Sequence, residues 1–137
     1  MSNIPSFSRR RAVVVGIMLV IAAAHIVRVG SYLPGEYYNL WYSYFSDFIL
    51  PFGCYFLLCM SEEQIPVLRH WEVKWAFAFL LPSIMETCQY FGIPVLGVTF
   101  DPVDYLMYAL GATSAVLVDT QVFPRIFSFW TLEKVNP

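Results

Sequence analysis

Residues 73–96 read VKWAFAFLLPSIMETCQYFGIPVL. An α-helix rises about 1.5 Å per residue, so a run of this length covers a hydrocarbon core of roughly 30 Å. Lys74 stands at its start, and Glu86 and Gln89 interrupt an otherwise apolar and aromatic stretch. A helix apolar on nearly every side, with one acid inside it, is at home in lipid and needs a reason for the acid.

Three further runs of the same character occupy residues 12–29, 37–60 and 103–123. Of the 137 residues, 58% are apolar and only 13% charged, against about 25% charged in an ordinary soluble domain. Mean hydropathy is +0.60. The connections are short, with no Ser/Gly linker or repeat. The expectation is an all-α polytopic membrane protein, 1–137 as one domain of four transmembrane helices, with the lipid bilayer as its first partner. A net charge of −2 and no basic stripe argue against nucleic-acid binding.

Arg9, Arg10 and Arg11 before an apolar run ending Ala22-Ala23-Ala24 also resemble a cleavable secretory signal. A retained first helix is the preferred reading. Orientation follows the excess of Lys and Arg in cytoplasmic segments. The N-terminal arginines, Arg69 and Lys74, and Arg125 and Lys134 fall on one side, and Arg28 alone on the other. Both termini are therefore expected in the cytoplasm. Tyr37, Tyr38, Trp41, Tyr42 and Tyr44 form an outer aromatic belt, and Trp71, Trp75 and Trp130 an inner one. Pro51 and Pro82 are expected to kink their helices. Residues 124–130 are expected to lie along the inner interface.

This topology brings the polar intramembrane groups, apart from Asp119 at the far end, into the outer half of the bundle: His25, Arg28, Asp47, Glu86, Gln89, Asp101 and Asp104. His25/Arg28, Glu86/Gln89 and Asp101/Asp104 are each spaced i, i+3, a spacing that puts both members on one helix face. These seven residues are the candidate polar-ligand or proton site. Plainer roles stand beside that. Asp101 before Pro102 is a capping pattern with Asp104 at the positive end of the helix dipole, and Arg28 can snorkel to head groups. Glu86, about three turns from either end of its run, is the hardest to explain structurally, except as a protonated or Arg28-paired carboxyl.

No catalytic motif is present: Ser46 lacks a G-x-S-x-G elbow, and no H-E-x-x-H occurs. One histidine among scattered acids is a weak metal signal, so no metal or cofactor is expected. Cys54, Cys59 and Cys88 sit in apolar runs and read as buried thiols.

Glu86-Thr87-Cys88-Gln89, then Asp101-Pro102-Val103-Asp104 and Gly111, resemble the signature of VanZ-like membrane proteins, an E-x-x-Q on the third helix followed by D-x-x-x-N-x-x-G on the fourth. Tyr108 stands where that signature has Asn. Gly97, Val98 and Thr99 occupy a turn that usually carries Arg, and Ser46-Asp47 matches a Ser-Asp without the usual following Lys and His. The resemblance covers residues 83–112 and implies a four-helix protein of the bacterial cytoplasmic membrane, in a family linked to glycopeptide tolerance and cell-envelope biology. Two functions follow as expectations. One is an accessory or structural subunit of a larger membrane complex, with other membrane subunits as partners. The other is an envelope protein binding a polar head group, cation or proton in an outer-facing acidic cavity. What Glu86 faces should discriminate between them.

Overall fold

A computed structural model describes residues 6–95 and 99–131; Lys134 and the Gly97-Val98 part of the third connection lie outside this range. The described residues form helices and contain no strand. Helix α1 spans Ser6–Ile26, α2 Gly35–Cys59, α3 Trp71–Tyr90 and α4 Pro102–Leu117. A π-helical segment, Val118–Val122, joins α4 to the single turn of α5, Phe123–Ile126. Short 3₁₀ turns, Val29–Tyr32 and Pro66–Arg69, lead into α2 and α3.

Local chemistry sets each boundary. Helix α1 stops at Ile26, and Arg28 takes a left-handed backbone, φ 52°, so His25 and Arg28 do not share a helix face as their spacing predicts. Helix α3 ends at Tyr90, short of residue 96. Gly92 adopts φ 76°, and the N–H groups of Gly92 and Ile93 donate to the carbonyls of Gln89 and Cys88 at 2.9 Å each. That pair of bonds is the Schellman arrangement, which a glycine permits without strain. Helix α4 begins at Pro102 with Asp101 as its cap, the Asp101 side chain accepting from the Val103 N–H at 2.9 Å.

The central seam is α2 against α4, flanked by α3, while α1 packs on α2. Gly111 makes the seam possible: a Cβ there would collide with the Phe48 carbonyl oxygen and crowd the Pro51 ring. Ala112 and Ala115 continue the small-residue stripe and are fully buried. Pro51 and Pro82 lie inside α2 and α3, both buried. The core gathers at one end, around Val14, Tyr55, Phe56, Cys59, Ala78 and Trp130. Large apolar side chains, among them Leu19, Val20, Phe77, Leu80, Leu106 and Leu110, face outward.

By length and composition, Pro102–Ile126 is the one described helix that passes as apolar and long enough to cross a membrane. The helical path continues past residue 123 through Pro124, and Trp130 then packs back into the core, 2% exposed.

Candidate functional site

Two polar centres lie at opposite ends of the bundle. The first is a cavity of about 410 Å³ lined by Asp47 of α2, Glu86 and Gln89 of α3, and Asp101, Asp104 and Tyr108 at the start of α4. Five of the seven residues singled out from sequence thus line one space, and no Lys, Arg or His joins them. Glu86 is 3% exposed and anchors the wall. Its Oε1 accepts from the Asp101 backbone N–H at 2.7 Å, and its Oε2 accepts from the Tyr108 hydroxyl at 3.4 Å. Gln89 ties down the same connection, its amide donating to the Val95 carbonyl at 3.0 Å. Thr87, between them, bonds the Tyr105 hydroxyl at 2.8 Å.

His25 and Arg28 are not part of this wall. His25 Nδ1 bonds the Ile21 carbonyl at 2.8 Å, and the ring lies 5.3 Å from that of Phe45. Arg28 donates to the Tyr42 hydroxyl at 3.3 Å. The expected pairing of Arg28 with Glu86 is absent, because the chain leaves helical geometry at Arg28 and carries the side chain toward α2.

The second centre went unrecognised in the sequence. Lys74, 2% exposed, donates to Glu62 at 2.5 Å, to Asp119 at 2.8 Å and to the Cys59 thiol at 3.3 Å. Asp119 also accepts from the Tyr55 hydroxyl at 2.6 Å and from the Trp130 indole at 2.7 Å. Arg10 pairs with Glu62 at 2.9 Å and lies 4.9 Å over the Trp130 ring. Arg10 and Lys74, read from sequence as topology markers, are buried and both pair with Glu62, and Trp130, expected in an inner aromatic belt, is a buried indole donor. The π segment places Asp119 here. Lys74 and Asp119 falling at the same depth of neighbouring helices was the signal available in the sequence.

Among the described residues, one set of three metal-capable ligand atoms lies mutually within 4.8 Å: those of Cys59, Glu62 and Asp119. The Lys74 ammonium bonds all three, so the place a cation would take is filled by the protein's own charge. The acids lining the first cavity form no such compact set.

Comparison with protein-family models, curated proteins and solved structures finds no match to this chain.

Proposed function

We propose that this chain is a small, VanZ-like, multi-pass protein of the bacterial cytoplasmic membrane whose outer cavity holds an organic ammonium group. The observation that carries this reading is the cavity wall itself: four carboxylates, from Asp47, Glu86, Asp101 and Asp104, with no basic side chain among the lining residues. Two like charges about 5 Å apart repel by roughly 3 kcal/mol at an effective dielectric near 20. A cation entering such a space relieves that repulsion. An ammonium offers three donors that can reach separated acceptors.

Four crossings are supported by helix length, since α1, α2 and α3 have 21, 25 and 20 residues, and by the outward-facing apolar side chains. Cytoplasmic termini are supported by the gathering of Arg10, Arg69 and Lys74 at one end and Arg28 at the other. The acidic cavity then opens outward, where the head groups of the outer leaflet lie.

The test is native mass spectrometry of the protein released from nanodiscs of mixed phosphatidylethanolamine and phosphatidylglycerol. Preferential retention of the ethanolamine lipid, abolished by Asp47→Asn with Asp104→Asn, is the expected result. Equal retention of both lipids overturns the reading.

A second reading, an accessory subunit of a larger membrane complex, is favoured by an apolar groove of about 520 Å³ lined by Tyr37, Trp41, Tyr44, Phe48 and Met107. A partner helix fits such a groove. Stoichiometric membrane subunits co-purifying in gentle detergent, and lost with Trp41→Ala, would establish it.

A further inference from the structure

Helix α1 packs along α2 but not along α3, and the gap between α1 and α3 is an apolar cleft of about 500 Å³. Small-molecule sites occupy roughly 300–1,000 Å³. Met18, Ile21 and His25 line the cleft from α1 at i, i+3, i+7, the spacing of a single helix face. Leu81 lines it from α3, and Gly53 of α2 adds no side chain to its floor. The cleft adjoins the acidic cavity at the seam of α2 with α3. Asp47, Leu50, Pro82 and Met85 line both spaces, so the Asp47 carboxylate serves the two together.

The cleft is polar at one end only. His25, Ser46 and Asp47 mark that end, and the rest of the lining, down to Leu57, is apolar apart from the Cys54 thiol. His25 Nδ1 is already taken by the Ile21 carbonyl at 2.8 Å. Ten helical residues separate Asp47 from Leu57, a rise of about 15 Å, half of a hydrocarbon core of roughly 30 Å. That is the depth of one leaflet, and so the reach of one lipid tail. An apolar trough of this length that ends on a carboxylate matches an amphiphile whose charged end is a cation.

We propose that the cleft takes the hydrocarbon tail of the molecule whose ammonium the acidic cavity holds, with Asp47 at the junction of head and tail. This rests on the reading of the acidic cavity given above and names its ligand class: a long-chain ammonium amphiphile rather than a soluble amine. The full chain in nanodiscs is irradiated with lysophosphatidylethanolamine carrying a diazirine midway along its acyl chain, and separately with the matching lysophosphatidylglycerol, and the adducts are mapped by peptide mass spectrometry. Adducts of the ethanolamine probe should concentrate on Ile21, Leu57 and Leu81 rather than on the outward-facing Leu19, Leu106 and Leu110.

Labelling of the cleft should fall about tenfold in Leu57→Trp and in Leu81→Trp, because an indole and a lipid tail cannot share the space. Both leucines are half exposed and outside the core, so the fold tolerates the change. Adducts spread over the outward-facing leucines, or cleft labelling undiminished in both tryptophan variants, overturn the proposal, while preferential retention of the ethanolamine lipid would still uphold the head-group reading. Equal cleft labelling by the two probes, unchanged in Asp47→Asn with Asp104→Asn, overturns it differently: the tail site then accepts any lipid, and the ammonium reading falls as well.

Discussion

The backbone N–H of Asp101 donates to Glu86, an acid fifteen residues earlier on a different helix. In a capping box that N–H is taken by the acid three residues into the new helix, here Asp104. Because Glu86 supplies the acceptor instead, Asp104 is left to line the cavity. One hydrogen bond thus fastens α4 to α3 and sets a second carboxylate toward the open space.

Glu86→Gln keeps an oxygen acceptor for Asp101 and should melt within a few degrees of the parent. Glu86→Leu leaves that N–H unpaired at a half-buried position and should cost on the order of 1–3 kcal/mol. Thermal unfolding in detergent compares the two. Equal losses would mean that charge, rather than the hydrogen bond, is what Glu86 contributes.

Lys74→Met leaves Asp119 buried without a cation and Glu62 paired with Arg10 alone, and removing one partner of a buried pair costs roughly 3–5 kcal/mol. Adding Asp119→Leu to that variant removes the stranded charge and should recover part of the loss. A double-mutant cycle on Lys74 and Asp119, read by unfolding midpoint, should therefore be strongly non-additive. Additive losses would show that the two side chains act independently.

Gly111→Ala forces a methyl against the Phe48 carbonyl, where the neighbour is backbone and cannot rotate away. Overpacking of this kind costs about 1–3 kcal/mol. Gly53→Ala is the control, since its nearest neighbour would be the Ile21 Cδ1 at an ordinary 3.5 Å. Only the first should lower the melting temperature appreciably.

Orientation is testable with single cysteines placed in a chain whose Cys54, Cys59 and Cys88 are replaced by Ala. A membrane-impermeant maleimide applied to intact cells should label Thr99→Cys. Arg69→Cys should label only after permeabilisation. The reverse pattern would invert the bundle and place the acidic cavity inside the cell.

The apolar runs were legible from length and hydropathy, and they located the ends of α1 to α4 to within about six residues. Their ends were legible where a local breaker acts, although Gly92 stops α3 earlier than its hydropathy suggests. The acids of the first cavity were legible as a group because they fall within or beside apolar runs that short connections fold back on one another. The network around Lys74 was not. Glu62 and Lys74 fall at helix ends and read as solvated charges, and Asp119 reads as a terminal polar residue. The contact of Lys74 with Asp119 joins residues 45 apart, and that of Tyr55 with Asp119 joins residues 64 apart. Nor does hydropathy reveal that the chain after Ile126 turns back to insert Trp130.

The π segment Val118–Val122 has a consequence for how the inner end is encoded. A π turn accommodates an additional residue relative to α geometry, and one α-helical residue corresponds to about 100° of rotation. Everything after residue 122 is therefore out of phase with α4. Deleting a single residue from this segment would leave the hydropathy profile of the helix almost unaltered, yet it would swing Phe123 and Trp130 about a quarter-turn away from Asp119 and Arg10. At this end of the molecule the count of residues, as much as their identity, specifies the structure.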